Sequence, residues 1–310
     1  MKKAPPTLPR RRTTTRPPAP SVTVIGLGNW GSSLLAGLAS AGIHFDEVIV
    51  RSKPARTPPG LTLTTLDNAS LEAQIFWLCV PDRAIAETSA ALVARLVALG
   101  RSPKGRVVIH SSGALSIDVL QAASAAGAQI ASVAPVMTFP TRRIVPLTGV
   151  PFAVESSPAL RPKLFKLVRS LGGAPFCIES QNKVLYHASA VMASPLLLSG
   201  LVAAQQTAIL AGLSPAAACK LLAPMAADTI RNFASRGSAN SFSGPIARGD
   251  IATMELHLRA LVGHPILVQT YRSLALNALE CLPSRKREEI ARMLGQVIRK
   301  PLKKQSPVRN

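Results

Sequence analysis

The sequence predicts an α/β domain with a doubly wound, mainly parallel sheet, followed by an all-α C-terminal domain. From Ser21 to about Ser180, short apolar or β-branched runs alternate with helical patterns, as in proteins with a parallel sheet. After Ser180 no strand pattern remains and only helical patterns follow. The chain is thereby divided into a basic, proline-rich tail (1–20), the sheet domain (21–180), the helical domain (181–299) and a second basic tail (300–310).

The predicted elements follow one another regularly. Strands are predicted over 21–25, 48–50, 61–66, 75–80, 107–110, 129–133, 150–155 and 175–178, and helices of the same domain over 32–42, 84–99, 117–126 and 159–171. The second domain is predicted to contain helices over 182–211, 215–234, 251–262, 265–280 and 284–299. Pro195 should kink the first of these, because proline lacks the N–H that the helix needs.

The turn after the first strand carries a GxGxxG pattern. Such a pattern is specific only where it follows a strand and opens a helix, as it does here. The first glycine makes the tight turn, the second lets the backbone approach a pyrophosphate, and the third lets the helix pack closely on the sheet. The free N–H groups and the positive end of the dipole at the helix N-terminus attract the phosphates. This predicts a dinucleotide site that begins with Gly26, Leu27, Gly28, Asn29, Trp30 and Gly31.

The residues after the second strand indicate which dinucleotide binds. An NAD site usually has an acid there for the ribose 2′-hydroxyl, whereas an NADP site offers cations to a 2′-phosphate. This strand ends in Arg51, Ser52 and Lys53, with Arg56 nearby and no acid. An arginine can form paired bonds to a phosphate and Ser52 adds a neutral donor, so the sequence predicts NADP.

Polar residues follow two central strands, where ligands of open parallel sheets bind. The backbone of Val80 and Pro81 is expected to pass along the cofactor, and Asp82 is interpreted first as the cap of the next helix. His110 ends the next strand and is either a titratable group near the substrate or a structural histidine. Ser111 and Ser112 follow it as candidate substrate-binding residues, and Ser116 is expected to cap a helix.

The helical domain adds three candidates. Lys183 and His187 are four residues apart and therefore project from one helical face. If that face looks into a cleft, it supplies a cation and a proton donor; otherwise it is an exposed first turn. Arg248 is a possible anion anchor in a tight loop, and Asp250 is expected to cap the helix after it.

Composition limits the function classes. About half of the net charge of +21 lies in residues 1–20 and 299–310, which carry eleven Lys or Arg and no acid, so specific nucleic-acid binding is not indicated. Four widely spaced cysteines without a CxxC pattern argue against a zinc site and favour the reducing cytoplasm. The uncharged run 188–219 is interpreted as a helix buried in a helical domain or dimer rather than a membrane span.

Together these motifs resemble a bacterial family. It has a Rossmann domain and a helical C-terminal domain of poorly characterised function, and it is related in architecture to ketopantoate reductase, pyrroline-5-carboxylate reductase and 6-phosphogluconate dehydrogenase. The resemblance covers about residues 21–295 and implies NADP-linked oxidoreductase chemistry and a homodimer through the helical domain. The segments that carry it are the glycine fingerprint, Arg51-Ser52, Val80-Pro81-Asp82, His110-Ser111-Ser112-Gly113, Tyr186-His187-Ala188 and Gly244–Asp250.

Two positions depart from the family pattern. Ala134 stands where the family usually has a histidine, and Pro195 where it tends to have an asparagine. The leading hypothesis is an NADPH-dependent reductase of a small carboxylate-bearing ketone or imine, with Lys183, His187 or His110 as the proton donor. The alternative is a non-catalytic NADP-binding regulator or scaffold, which the missing histidine favours.

Overall fold

A computed structural model describes residues 21–52, 62–141 and 143–295. Both basic tails, as well as Lys53 and Arg56, lie outside the described residues. The contacts divide the chain into two compact units, Met1–Val191 and Met192–Asn310, called here the sheet unit and the helical unit.

The described part of the sheet unit contains one eight-stranded sheet. Its strand order is β3-β2-β1-β4-β5-β6-β7-β8, and every neighbouring pair is parallel except β6–β7. The predicted fold class, a doubly wound sheet of the Rossmann type followed by helices, is confirmed. The strands are β1 (Val22–Ile25), β2 (Phe45–Ile49), β3 (Leu63–Thr64), β4 (Ile75–Leu78), β5 (Val107–His110), β6 (Gln129–Pro135), β7 (Pro151–Ser156) and β8 (Ala174–Cys177).

Successive side chains of a strand point to opposite faces of the sheet, and here both sets are apolar. Helices therefore cover both faces. Trp77 packs in the cluster that includes side chains of α1 and α4, and Phe76 packs in the cluster that includes α2 and α3. Helix α5, which the sequence assigned to the second domain, belongs to the sheet unit. The bounds are α1 (Asn29–Ser40), α2 (Ile85–Ala98), α3 (Gln121–Ala125), α4 (Arg161–Ser170) and α5 (Lys183–Val191).

The helical unit begins with a wider, π-helical turn over Met192–Leu196, which contains Pro195, so the regular α-helix is interrupted where the sequence predicts a kink. A second interruption lies at Gly237, whose φ is 75°. A small core forms around Met254, Leu279 and Ile290. The helices are α6 (Leu197–Leu210), α7 (Pro215–Ser241), α8 (Pro245–Arg248), α9 (Ile251–Ala260), α10 (Pro265–Cys281) and α11 (Arg287–Met293).

Helices α6 and α7 leave their apolar side chains uncovered. Within α6 no residue is buried, and within α7 only Ala218 is. Among the described residues one helical stretch, Ser180–Leu210, is long and apolar enough to cross a membrane by length and composition, with a mean hydropathy of 1.5. One such stretch is weak evidence for a span. Large exposed apolar side chains on the two helices are Leu197, Leu198, Val202, Ile209, Leu210, Leu221, Met225, Ile230 and Phe233.

Candidate functional site

The glycine loop has the geometry that its motif requires. Gly26 has a φ of +107°, and a Cβ there would lie 2.4 Å from the Cys79 carbonyl oxygen. A Cβ on Gly31 would lie 2.2 Å from the Gly26 carbonyl oxygen, so the helix passes too close for any side chain. A Cβ on Gly28, in contrast, would meet no atom of the described residues within 4 Å. The loop is thus closed against the sheet and open over its middle glycine.

The N-terminus of α1 is free to receive an anion. Among the described residues no side chain caps it, and its first turn contains no acid that would repel a phosphate. Asn29 and Trp30 instead use their side chains within the sheet unit. The Asn29 amide donates to the Phe139 carbonyl at 2.7 Å, and Trp30 packs against Trp77 and Phe139. These two side chains hold the segment after β6 against the glycine loop. Since both are engaged within the protein, the backbone N–H groups of the loop are the groups available to a ligand.

The other predicted cofactor residues lie at the ends of their strands. Arg51 and Ser52 are exposed, and they follow Val50, the first residue after β2. Val80 is half-buried and Pro81 is exposed after β4. All four lie at the carboxyl ends of parallel strands, the edge where Rossmann-type sheets bind ligands.

A row of polar residues crosses three neighbouring strands of the same sheet. His110 on β5 is paired with Ser132 on β6, and Ser132 is paired in turn with Glu155 on β7. All three are buried. Buried polar groups in a sheet otherwise rich in Val and Ile cost free energy unless they are bonded, so their partners are informative.

Lys183 reaches into this row from the first turn of α5. Its Nζ donates to Ser132 Oγ at 2.5 Å and to Glu155 Oε2 at 2.9 Å, and its side chain is 1% exposed. The other Glu155 oxygen accepts from Ser180 Oγ at 2.6 Å and from the Ile117 N–H at 3.0 Å. Burial lowers the pKa of Lys183, and the Glu155 carboxylate opposes that shift. Lys183, the cation that the sequence offers to a substrate, is therefore engaged in a buried ion pair with Glu155.

His110 is a buried neutral imidazole. Its Nδ1 accepts the Ser112 N–H at 3.1 Å, so the ring proton is assigned to Nε2. Burial and the nearby Lys183 charge lower its pKa to about 3, although the Ser116 carbonyl acts in the opposite direction. At neutral pH this histidine carries no acidic imidazolium proton. The structural interpretation of His110 fits these contacts.

Ser112 connects the ends of β4 and β5. Its Oγ donates to Asp82 Oδ2 at 2.7 Å and accepts the N–H groups of Ala114 and Leu115. The prediction that Asp82 caps a helix was wrong: Pro81 occupies the cap position, and the carboxylate is bonded to Ser112. A sequence pattern gives no sign of a partner thirty residues away.

Ser111 is also engaged, since its Oγ accepts the Trp77 indole N–H at 2.8 Å. Ser116 caps the turn over Ile117–Leu120 as predicted, accepting the Asp118 N–H. Both contacts hold the segment after β5 in place. Ser111 and Ser112 thus shape this segment through bonds to the protein itself.

His187 lies one helical turn beyond Lys183 and is half-buried. Its ring packs on the segment after β5, where a Cβ on Gly113 would come within 2.6 Å of His187 Nδ1. Within the described part of the chain the ring makes no hydrogen bond. Lys183 and His187 do share one face of α5, as predicted, and that face contacts the sheet unit.

In the helical unit, Arg248 is exposed at the end of α8. The predicted tight loop is thus a single helical turn. Asp250 caps α9 as predicted, accepting the Thr253 N–H at 3.1 Å and the Thr253 hydroxyl at 2.8 Å. Those two bonds lower the pKa of Asp250. Among the described residues there is no group of three or more His, Cys, Asp or Glu side chains arranged to hold a metal ion.

Sequence reasoning missed Glu155, Ser132 and Gly113. A signal for Glu155 was present, because it is an acid that follows directly on the apolar run 152–154 of a predicted strand. A carboxylate at such a position needs a partner. Neither Ser132 nor Gly113 differs in the sequence from ordinary strand and turn residues.

Two family models match the chain, each over less than half of its length. Residues 6–135 match a Rossmann-like domain, and residues 150–278 match a domain of unknown function, DUF2520. No curated protein sequence matches it. The two matches confirm the predicted resemblance to Rossmann proteins with a poorly characterised helical domain.

Solved structures share the fold. A Bacteroides fragilis protein provisionally assigned as an NADP oxidoreductase is 20% identical, with a TM-score of 0.68 over 84% of this chain and 97% of that one. An imine reductase from Myxococcus stipitatus in complex with NADP+ is 20% identical, with a TM-score of 0.62 over 84% and 94%. A Plasmodium falciparum pyrroline carboxylate reductase with NADP bound is 16% identical, with a TM-score of 0.56 over 89% and 98%.

Proposed function

We propose that the chain is an NADPH-dependent oxidoreductase that reduces a small carboxylate-bearing ketone or imine. The observation that carries this proposal is the glycine loop, which is closed against the sheet at Gly26 and Gly31 and open over Gly28. Beside it, the N-terminus of α1 has neither a capping side chain nor an acid in its first turn, within the part of the chain that the structure describes. These features fit a pyrophosphate, and the fold neighbours crystallised with NADP or NADPH support the same cofactor.

The preference for NADPH is proposed to rest on Arg51 and Ser52. We expect NADPH to bind at least tenfold more tightly than NADH, a difference of about 1.4 kcal/mol. Arg51→Asp should remove the preference, because a carboxylate repels the 2′-phosphate and can bond to the ribose hydroxyl. Titration calorimetry with both cofactors measures the effect. Lys104→Asp is a matched control, since Lys104 is an exposed cation preceding β5, away from the strand carboxyl ends.

The reaction needs a hydride on carbon and a proton on the carbonyl oxygen or imine nitrogen. Bound NADPH supplies the hydride. The protein supplies the proton, and we propose that His187 donates it. Lys183 is committed to Glu155 and Ser132, and His110 is neutral and buried. His187 is half-buried beside the segment after β5, and its ring is not held by another hydrogen bond within the described residues.

The substrate class is proposed from chemistry and from the neighbours. Their names include an imine reductase, a reductive aminase and a pyrroline carboxylate reductase, all of which concern carbon–nitrogen bonds. Arg248 stays the proposed partner of a substrate carboxylate, because it is exposed and no ion pair involves it among the described residues. Ser111 and Ser112 would shape the substrate region through their fixed backbone.

The test is NADPH oxidation with a panel of 2-keto acids and cyclic imines. His187→Ala should lower turnover at least a hundredfold, about 2.7 kcal/mol, and leave NADP affinity intact. If His187→Ala keeps normal turnover and only Lys183→Ala lowers turnover, Lys183 is the donor. If only His110→Ala lowers turnover, His110 is the donor. If no compound is reduced while NADPH binds tightly, the regulator or scaffold function is preferred, as Ala134 in place of the family's histidine would favour.

We also propose a homodimer through the helical unit and a cytoplasmic location. The uncovered apolar side chains of α6 and α7 need a covering surface, and a second copy provides one with matching chemistry. The four cysteines are free thiols, as is usual in a reducing compartment.

A further inference from the structure

The buried ion pair between Lys183 and Glu155 is the strongest unexplained feature of the sheet unit. The two side chains are 1% and 3% exposed, and their N···O distance is 2.9 Å. Both Glu155 oxygens are bonded, and the Lys183 ammonium also donates to Ser132. No step of the proposed reaction uses this pair.

Stability alone is a poor reason for such a pair. Replacing a buried ion pair by apolar groups of similar volume is often neutral or stabilising, because desolvation offsets the attraction. The pair instead determines where the first turn of α5 lies on the sheet. Bonds of 2.5 and 2.9 Å to oxygens on two different strands fix the position of Nζ, and with it the first turn of α5.

His187 lies on the same helical face, one turn further along α5. A residue four positions on is the neighbour of Lys183 on the helix surface, so the orientation of the first turn sets where His187 meets the sheet unit. There the His187 ring rests on Gly113, and any side chain at that position would overlap it. The ion pair fixes the helix, and the glycine leaves space for the ring.

We propose that Lys183, Glu155 and Gly113 are positioning residues that hold His187 in its place beside the segment after β5. This inference deepens the proposed function, and its catalytic part rests on His187 being the proton donor. Lys183 acts through the helix and does not touch the substrate. The proposal therefore differs from one in which Lys183 is itself the acid.

The main test is the double variant Lys183→Met/Glu155→Gln, which removes both charges and leaves no unpaired ion. The first measurement needs no substrate: the NMR signals of the His187 ring, assigned by comparison with His187→Ala. We expect these signals to shift or broaden in the double variant, while NADP affinity stays within twofold of the native value. Unchanged His187 signals in the folded double variant would overturn the proposal.

Two further variants approach the same point independently. Gly113→Ala should move the His187 signals without touching the ion pair. Ser132→Ala removes one of the two bonds to Lys183 Nζ, together with the 3.3 Å bond from Ser132 Oγ to the Ser112 carbonyl, and should also shift the signals. If the double variant does not fold, these two decide, and unchanged signals in both contradict the proposal. The exposed pair Arg287–Glu280 provides the control, Arg287→Met/Glu280→Gln, which should leave the signals unchanged.

Once a substrate is found, a double-mutant cycle separates positioning from catalysis. In the native background the Lys183→Met/Glu155→Gln change should lower kcat at least tenfold and leave KM within threefold. In a His187→Ala background it should lower kcat less than twofold further, because nothing remains to be positioned. A full additional loss in that background would show that Lys183 acts directly, and would overturn the positioning role. If no substrate is found, the proposed function fails, while the NMR result still decides whether the pair positions His187.

Discussion

The sheet unit and the helical unit satisfy their side chains in different ways. In the sheet unit, two apolar clusters fill both faces of the sheet, and even the charged Lys183 and Glu155 are buried with partners. In the helical unit, α6 and most of α7 expose their apolar residues, and the ion pairs lie at the surface. The first unit completes its core within one chain. The second has more apolar surface than its own small core can cover.

This difference shows where each unit should be sensitive to change. The sheet unit depends on internal partners, so removing one partner leaves another buried and unpaired. The helical unit depends on what covers its surface, so a change there should alter association more than folding. Substitutions in matched pairs, one in each unit, can confirm or contradict this contrast.

The largest expected effect is on a single partner of the buried pair. Glu155→Gln leaves the Lys183 ammonium without its counter-charge and should lower the free energy of unfolding by about 3–5 kcal/mol. The matched change in the helical unit, Glu280→Gln, breaks an exposed pair with Arg287 and should cost less than about 1 kcal/mol. Urea denaturation of both variants measures the difference. Equal effects would contradict the contrast between the two units.

A smaller effect is expected on association. Leu198 and Phe233 are 61% and 60% exposed on α6 and α7. Burying such a side chain in a dimer contributes about 1.5–3 kcal/mol, so Leu198→Asp or Phe233→Asp should raise the dimer Kd at least tenfold. Analytical ultracentrifugation gives the Kd, and circular dichroism checks the helical content. Val97→Asp is the control, since Val97 is 62% exposed on α2 of the sheet unit and should not affect association. A native protein that is monomeric at all concentrations would refute the dimer.

The third contrast concerns pH, and its effect accumulates over several pH units. The pKa of His110 is about 3 in the folded protein, below the value of about 6.5 in an unfolded chain. Between these values the folded state binds fewer protons, so the free energy of unfolding falls as the pH drops, by up to about 1.4 kcal/mol per pH unit. His110→Asn keeps an acceptor for the Ser112 N–H and should flatten this slope. Denaturation at pH 7, 6, 5 and 4 measures it.

His257→Asn is the matched control for that slope. His257 is exposed on α9 of the helical unit, where its ring bonds to the Tyr271 hydroxyl. Its replacement should leave the slope unchanged. If His110→Asn also keeps the native slope, groups other than His110 dominate the pH dependence of the free energy of unfolding.

Much of the fold was predictable, because its signals are local. Runs such as Ile75–Val80 and Val107–His110 are short, apolar and bounded by turn residues, which is sufficient to identify buried strands. The roles of Gly26 and Gly31 were also predictable, since a strand–GxGxxG–helix sequence leaves few conformations open. The antiparallel pairing of β6 and β7 was not, because strand direction depends on the connection and not on the pattern.

The candidate site was predictable as a set of residues but not as a set of contacts. The spacing of Lys183 and His187 correctly places them on one helical face. It does not show that this face meets Glu155 and Gly113. For Asp82 the local pattern suggested a helix cap, whereas its carboxylate is bonded to Ser112. For His110 the pattern left two roles open, and burial together with the Ser112 contact favours the structural one.

The sequence by itself determined the elements, their order, the dinucleotide loop and the residues available for chemistry. All of these depend on neighbours within a few positions, on periodicity and on the conformations that glycine and proline allow. Only the tertiary structure decided which of the available charges are free. Lys183 and Glu155 are 28 residues apart in the chain, and only the folding of α5 onto the sheet brings their ammonium and carboxylate together. A charge's protonation and reach depend on burial and on partners in space, and these are properties that no local pattern encodes.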